Sequence, residues 1–221
     1  MLYLISTPIG HLDDITLRVL KTIESLDYLL CEDTRHTQRL LQHFNLRKPL
    51  YSYHKFNEAK KNKEILEDLK AGKLIGLISD AGTPTLFDPG MRLVDLCHNE
   101  KIPLTALPGP SSPIVALSLS GFDTMRFQCV GFLPKKQKAH ETILIDALNY
   151  PGTTLALESP YRLIKTLTLL AKLDSERPLF IARELTKKFE ELLRGPAPVL
   201  LKRWENSSPK GEIVLAIQGV S

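Results

Sequence analysis

Short apolar runs alternate with amphipathic segments along the whole chain, and this alternation constrains the fold more than any other feature. The apolar runs have the length of β-strands and many are rich in β-branched residues. The segments between them, such as 34–43 and 162–172, have helical periodicity. Such alternation is typical of α/β proteins with mostly parallel sheets. The predicted strands are 2–6, 28–31, 50–53, 74–79, 103–107, 127–131, 153–158, 179–182 and 213–217.

The same pattern favours two domains. Roughly nine strands fit two sheets of about five strands each, close to the usual size of a sheet. The segment 107–123 is dense in proline, glycine and serine and has few charges, which is typical of a domain boundary. We therefore predict an α/β chain of two domains, 1–113 and 114–221, each with its own sheet.

Composition excludes several classes of protein. The chain is 43% hydrophobic and 24% charged, as globular proteins are. No apolar run approaches the roughly 20 residues that span a bilayer, and the N-terminus lacks the basic segment of a signal peptide, so we expect no membrane association. Cys31, Cys97 and Cys129 are too far apart for a zinc site or a disulfide framework. We therefore predict no metal site and a cytoplasmic location.

The positive charge lies in the second half of the chain. Residues 1–112 carry 14 basic and 14 acidic side chains, whereas residues 113–221 carry 15 basic and 11 acidic ones. This surplus suits a polyanionic partner such as RNA, but on charge alone ordinary solvated surface is the simpler explanation. The chain has no GxGxxG, GxxxxGK[ST] or GxSxG motif, which argues against the common NAD and ATP sites and against a hydrolase nucleophile.

Polar loops follow several predicted strands, and ligands of open α/β sheets bind at such strand ends. The loop 79–90 contains Asp80, which can accept hydrogen bonds from a ligand, and Gly82, which allows a close backbone approach. A turn in which Asp80 caps the next helix is the alternative. Loops 6–10 and 107–112 are of the same type, and the serines of the latter can cap a helix or bind a ligand.

A carboxylate at the end of the second predicted strand is our candidate general base. Glu32 sits where the second predicted strand ends, and a base held near a reacting hydroxyl must be fixed in this way. An ion pair of Glu32 with Arg35 or Arg39 is the alternative. His54, after the third predicted strand, is a second candidate, as is His36, although an isolated histidine is more often structural.

The second half has strand ends of its own. Glu158, Arg183, Glu184 and Thr186 follow predicted strands and are expected to face one crevice. A scaffold of salt bridges is an equal alternative for these side chains. The segment 211–217 reads as a final core strand that begins at a glycine.

Ten motifs in fixed order resemble one family over residues 2–217. They include STPIG, CEDTRHT, SDAGTP…DPG, LPGPS, GFLP, ESP.R, ARELTK and GEIVL. Together they resemble the bacterial ribosomal RNA small subunit methyltransferase I family, within the tetrapyrrole methylase superfamily. This resemblance implies two α/β domains with S-adenosylmethionine in the cleft between them, a homodimer, and 2′-O-methylation of a cytidine in small-subunit ribosomal RNA.

The resemblance also implies site residues. Glu32 aligns with the acid–base carboxylate of related enzymes, and His54 is kept as the second candidate. The implied cofactor contacts are Pro8, Ile9, Asp80, Ala81, Gly82, Thr83, Ser111, Ser112, Leu157, Arg183, Glu184, Leu185 and Gly211.

An RNA substrate needs cations for its phosphates and aromatic rings for its unstacked bases. We predict base stacking on Tyr53 or Tyr161. Naked ribosomal RNA and the assembled small subunit both remain open as the substrate. Methylation of an anionic tetrapyrrole and a non-catalytic role in ribosome assembly are the competing functions. The predicted phosphate contacts are Arg35, Arg39, Lys135, Lys136, Lys138 and Arg162.

Overall fold

The structure, a computed structural model, describes residues 1–205 and 207–220. In these residues the backbone forms ten β-strands and eight α-helices. The chain divides into two compact units, Met1–Ser111 and Ser112–Ser221. Our sequence-based boundary at 113/114 lies two residues further on, inside the helix that opens the second unit.

The first unit alternates strands and helices from end to end. Its strands form a wholly parallel sheet in the order β3-β2-β4-β1-β5, so all five carboxyl ends lie along one edge. Its elements are β1 (Leu2–Ile5), α1 (Leu17–Ser25), β2 (Tyr28–Cys31), α2 (Thr34–His43), β3 (Leu50–Ser52), α3 (Glu58–Lys70), β4 (Ile75–Ile78), α4 (Met91–Asn99) and β5 (Leu104–Leu107).

Helices cover both faces of this first sheet. Leu30 of β2 belongs to a cluster with residues of α3 and α4, whereas its neighbour Leu29 belongs to a cluster with residues of α1 and α2. Burial on both faces explains why the strands read as nearly continuous apolar runs. Two of the helices begin at side-chain caps, since Thr16 accepts from the Val19 N–H and Asp33 from the Arg35 N–H.

The second unit contains a mixed sheet. Its strands are ordered β6-β7-β10-β8-β9, and among them only β6 and β7 pair in parallel in the part of the chain that is described. Our prediction of mostly parallel strands is therefore wrong for this unit, because an apolar run that is buried on both faces carries no sign of strand direction. The elements are α5 (Ser112–Ser120), β6 (Phe127–Phe132), α6 (Gln137–Asn149), β7 (Thr153–Glu158), α7 (Pro160–Leu173), β8 (Pro178–Arg183), β9 (Glu191–Pro196), α8 (Ala197–Leu201) and β10 (Ile213–Ile217).

Strand β9 is missing from the sequence-based prediction. It lies at the sheet edge, antiparallel to β8, and its sequence ELLRGP contains two charges, a glycine and a proline. An edge strand tolerates such residues because one of its sides has no strand to pair with.

The second core lies between this sheet and helices α6, α7 and α8, where Trp204 is also buried. Helix α5 packs against β7, β8 and β10. Across residues 1–205 and 207–220, no helix combines the length and apolar character that crossing a membrane requires.

Candidate functional site

Two loops at the carboxyl edge of the first sheet are joined by backbone hydrogen bonds. The Thr7 N–H donates to the Gly82 carbonyl at 2.9 Å, and the Gly82 N–H donates to the Thr7 carbonyl at 3.1 Å. The Thr7 hydroxyl donates to the Ser79 carbonyl at 3.1 Å, and the Ser79 hydroxyl donates to the Gly82 carbonyl at 2.7 Å. Thr7 and Ser79 are buried, so these bonds hold the loops after β1 and β4 in one arrangement.

The loop after β5 joins the same group. The Thr83 hydroxyl donates to the Pro110 carbonyl at 3.2 Å, and the Ser6 hydroxyl lies 3.3 Å from that of Thr83. A Cβ atom at Gly109 would lie 2.6 Å from the Cβ of Ser6, so only glycine fits there. We call these three loops (residues 6–10, 79–90 and 107–111) the loop cluster.

The loop cluster contains the cofactor residues that were predicted for the first unit. Ile9 is buried, and its Cγ2 atom lies 3.6 Å from where a Cβ of Gly82 would be. Gly82 has a φ of +81°, which keeps its backbone in the left-handed region. Thr83 is half-buried and Ala81 is exposed beside it. The other members of the predicted set in this unit are Pro8, Asp80 and Ser111.

Asp80 connects the loop cluster to the end of β2. Its Oδ1 atom accepts a hydrogen bond from the Asp33 N–H at 3.3 Å. Asp80 does not cap α4, which begins after Gly90, so the capping alternative is wrong. Within the described part of the chain, the other carboxylate oxygen of Asp80 has no hydrogen-bond donor.

Backbone strain is concentrated in the predicted cofactor loops. Thr85 and Phe87 in the loop cluster, and Glu184 and Thr186 in the second unit, have φ values between +53° and +72°. Such conformations are costly for residues with a side chain and cluster at functional sites. Two further examples, Asn45 and Lys101, follow helix ends, where the left-handed conformation is common.

Glu32 and Asp88 line one narrow cavity at the edge of the first sheet. Tyr53, Ser79 and Pro84 are also among its lining residues. Strand β2 ends at Cys31, so Glu32 is the first residue beyond it, and it is exposed. Burial, with the nearby charges of Glu32 and Asp80, raises the pKa of Asp88 to about 6.

Asp88 is the carboxylate of this cavity that the sequence analysis did not single out. It lies in the DPG segment of the motif that was assigned to cofactor binding, but nothing in the local sequence indicates that it faces Glu32. The alternative ion pair of Glu32 with Arg35 or Arg39 is not observed. Arg35 pairs with Asp33 at 3.2 Å, and Glu32 has no salt bridge in residues 1–205 and 207–220.

The second candidate base, His54, is held inside its own loop. Its Nδ1 atom accepts from the Phe56 N–H at 3.3 Å, and its Nε2 atom lies 3.2 Å from the Asn57 amide nitrogen. The neighbouring Tyr53 is only 1% exposed and donates to Asn62 at 2.8 Å. Our prediction that Tyr53 stacks on RNA bases is therefore wrong, whereas Tyr161 is 95% exposed.

The second unit brings most of its predicted cofactor residues together. The Glu184 N–H donates to the Glu212 carbonyl at 2.9 Å, and the Glu212 N–H returns a bond of 2.9 Å to Glu184 Oε1. Gly211 lies so close that a Cβ there would be 2.4 Å from Glu184 Cδ. Arg183 ends β8 and Leu185 is buried next to Glu184. Leu157 lies two strands away from β8, on β7.

Salt bridges involve two of these predicted contacts. Arg183 pairs with Glu191 at 2.8 Å, and Lys187 pairs with Glu184 at 3.0 Å. Burial alone would raise the pKa of Glu184, but the Glu212 N–H and the Lys187 ammonium lower it overall. Arg183 and Glu184, which were predicted to contact the cofactor, therefore also form the salt bridges that the alternative interpretation expects.

The predicted phosphate contacts fall into three groups. Lys135, Lys136 and Lys138 are exposed around the turn from β6 into α6. Arg35 and Arg39 line a groove of about 530 Å³ on α2, together with Thr34, Gln38, Lys48 and Leu50. Arg162 instead turns inward and pairs with Glu158.

The sequence matches the profile of the tetrapyrrole (corrin/porphyrin) methylases over residues 1–200. The chain belongs to this family. This confirms the superfamily resemblance and makes the chain a methyltransferase. The predicted class, two α/β domains of the tetrapyrrole methylase type, is likewise confirmed.

Close relatives identify the group within the tetrapyrrole methylases. A ribosomal RNA small subunit methyltransferase I from Synechocystis is 42% identical over all of this chain and 80% of its own length. One from Thermotoga maritima is 40% identical over 99% of this chain and 98% of its own length. The chain therefore belongs to the ribosomal RNA small subunit methyltransferase I group, as the motifs predict.

Solved structures share the fold at lower identity. Diphthine synthase is 14% identical with a TM-score of 0.71 and covers 98% of this chain and 89% of its own. Uroporphyrin-III-C-methyltransferase from Thermus thermophilus is 20% identical with a TM-score of 0.65, over 98% of this chain and 93% of its own. At these identities the likeness concerns the fold alone.

Proposed function

We propose that this chain transfers a methyl group from S-adenosylmethionine to the 2′-oxygen of a cytidine in small-subunit ribosomal RNA. The observation that carries the proposal is the identity of 40% to 42%, over essentially the whole chain, to relatives named as ribosomal RNA small subunit methyltransferases. The basic segment 135–138 is consistent with an RNA substrate. We propose a cytoplasmic homodimer, and sedimentation of the purified protein tests its oligomeric state.

The loop cluster fits a cationic cofactor. S-adenosylmethionine, when bound, supplies an electrophilic methyl group on a positively charged sulfonium. Burial and then the nearby charges of Glu32 and Asp80 raise the pKa of Asp88, so these three carboxyl groups lie close together. Such an acidic edge favours a ligand that carries sulfonium and ammonium charges. Oδ2 of Asp80 is available to the cofactor, because only Oδ1 accepts the hydrogen bond from the Asp33 N–H.

The second unit holds the other proposed cofactor contacts. In it, Glu184 is fixed by the Glu212 N–H and by Lys187, and the absence of a side chain at Gly211 allows this close approach. The backbone around the set is therefore rigid enough to present polar groups in one orientation.

Glu32 is the proposed general base. Because β2 ends at Cys31, the sheet fixes the backbone next to Glu32 while its exposed carboxylate remains accessible to substrate. The carboxylate accepts the proton of the ribose hydroxyl as the oxygen becomes a nucleophile. Alignment of that hydroxyl with the methyl group is the other task of the site. His54 stays the second candidate, although contacts within its loop occupy both ring nitrogens.

A methyl-transfer assay with three acceptors separates this function from its competitors. The acceptors are small ribosomal subunits that lack the modification, the same RNA without proteins, and a porphyrinogen. We expect transfer to ribosomal RNA and none to the porphyrinogen. Transfer to the porphyrinogen alone would establish tetrapyrrole methylation. RNA binding without any transfer would establish a non-catalytic role in ribosome assembly.

A further inference from the structure

A buried carboxylate in the second unit is surrounded by hydrogen-bond donors. Glu158, the last residue of β7, is 2% exposed. Its Oε1 atom accepts from the Ser159 N–H at 2.6 Å and pairs with Arg162 Nη2 at 2.7 Å. Its Oε2 atom accepts from the Thr166 hydroxyl, which lies 3.2 Å from His140 Nε2. The carboxylate therefore links β7 to α6 and α7.

The guanidinium of Arg162 extends this network to the chain that leaves β6. Its Nη1 atom donates to the Leu133 carbonyl at 3.0 Å and to the Pro134 carbonyl at 2.9 Å. Only 23% of the side chain is exposed. One planar group therefore connects Glu158 with two consecutive carbonyls, a geometry that suits arginine and not lysine.

The carbonyls that Arg162 holds lie directly before the basic segment. Lys135 and Lys136 follow Pro134, and Lys138 lies in the first turn of α6. The Leu133 N–H donates to the Leu157 carbonyl at 3.1 Å, so β7 also holds the backbone of Leu133 in place. His140 anchors α6 to Thr166 of α7. The direction in which the lysines leave the sheet therefore depends on the Glu158 network.

We propose that Arg162 is a positioning residue that holds the basic segment 135–138 in place for RNA, and that it does not itself bind phosphate. This inference rests on the proposed function, since it assigns the lysines to ribosomal RNA. It differs from the role that the sequence predicted for Arg162. Its Nη1 and Nη2 atoms are both engaged with protein oxygens and only 23% of the side chain is exposed, which leaves little of the group for a phosphate.

Two substitutions separate the two roles of Arg162. Arg162→Lys keeps the charge but cannot bridge three oxygens as the planar fork does. Arg162→Gln removes both the charge and the fork, and it leaves Glu158 buried without its cation, so Glu158→Gln/Arg162→Gln is made as a neutral version that avoids misfolding. Lys165→Gln removes an exposed charge from the same helix and serves as the matched control.

Amide hydrogen exchange of Leu133 and His140 reports on the segment without any assay of activity, because their N–H groups donate to the Leu157 and Lys136 carbonyls at 3.1 and 2.9 Å. We expect exchange there to rise at least tenfold in Arg162→Lys and in the double variant, and to stay unchanged in Lys165→Gln. In steady-state methylation, Arg162→Lys and the double variant should have a KM for small subunits about tenfold higher than wild type, with kcat and cofactor affinity unchanged. Wild-type methylation of the same subunits tests the proposed function separately.

Three results would overturn the proposal. Unchanged exchange in the double variant means that Arg162 does not hold the segment. Raised exchange with an unchanged KM means that the segment is held but does not meet RNA. An Arg162→Lys protein with the KM of the wild type means that only the charge matters, as expected of a phosphate ligand.

Discussion

The backbone N–H of Asp33 donates a hydrogen bond to Oδ1 of Asp80 at 3.3 Å. This bond joins the ends of β2 and β4, which are neighbours in the sheet. It brings the residue before Asp33, the candidate base Glu32, to the edge of the loop cluster. The proposed base and the proposed cofactor loop are therefore parts of one hydrogen-bonded unit, and each can be tested separately.

Asp80 is predicted to bind the cofactor as well as to brace Asp33. Asp80→Ala removes both interactions and should weaken S-adenosylmethionine binding by about 1–3 kcal/mol, the usual effect of losing a charged partner. Asp80→Asn keeps an acceptor for Asp33 but loses the charge, so it should weaken binding while the melting temperature stays near wild type. Calorimetric titration and a thermal melt measure the two effects. Unchanged affinity in folded Asp80→Ala removes Asp80 from the site.

Glu32 is predicted to act in the chemical step. Glu32→Gln should lower the single-turnover rate roughly 10²–10⁴-fold, the range for loss of a general base. The melting temperature should hardly change, because the amide has the same shape and Glu32 has no salt bridge in residues 1–205 and 207–220. Cofactor affinity should fall less than in Asp80→Ala, because only one charge of the acidic edge is lost. Glu64→Gln, on the exposed side of α3, is the matched control. A rate within threefold of wild type would transfer the role to His54.

Asp88 is predicted to make stability depend on pH. Its pKa rises from 3.8 to about 6 on folding, so the folded state binds the proton more tightly. Its contribution to stability is therefore fully present below pH 3.8 and is lost as the pH rises through about 6. Asp88→Asn should thus stabilise the protein by about 3 kcal/mol at pH 8 and by little at pH 4.

Urea unfolding of wild type and Asp88→Asn at both pH values measures the effect of Asp88. Asp95→Asn, on α4, is the control for loss of a carboxylate whose charge does not face Glu32 and Asp80. Equal differences between Asp88→Asn and wild type at both pH values would contradict the prediction.

The lysines of the basic segment are predicted to contact RNA phosphates. Replacing Lys135, Lys136 and Lys138 by glutamate should weaken RNA binding and lower the slope of log affinity against log salt by about 2, the value for three contacts to a single strand. Cofactor affinity should stay unchanged. Binding is measured at several salt concentrations. The same change at exposed Lys21, Lys60 and Lys63 is the charge-matched control, and an equal loss there would show only a general effect of charge.

Nine of the ten strands in the described residues were predictable from the sequence, because each depends on a local apolar pattern. The helix 34–43 matches α2 at both ends, since a capping aspartate and an amphipathic repeat define it locally. Strand direction in the second sheet and the edge strand β9 were not predictable, because pairing is a property of distant segments.

The site was predictable as a set of loops and not as a set of contacts. The motif containing Asp80 indicates a ligand loop, but its bond to Asp33 spans 47 positions of sequence. Similarly, Asp88 faces Glu32 only because β2 and β4 are adjacent. Arg162 carries a positive charge that suits RNA, yet the buried Glu158 determines where that charge lies.

The most direct test of the proposed function identifies the methylated product. Small ribosomal subunits that lack the modification are incubated with the protein and isotope-labelled S-adenosylmethionine, and the RNA is digested to nucleosides for mass spectrometry. We predict label in 2′-O-methylcytidine with the wild-type protein, and a rate roughly 10²–10⁴-fold lower with Glu32→Gln. Label on a base carbon, or no label in RNA while a porphyrinogen is methylated, would contradict the proposed function.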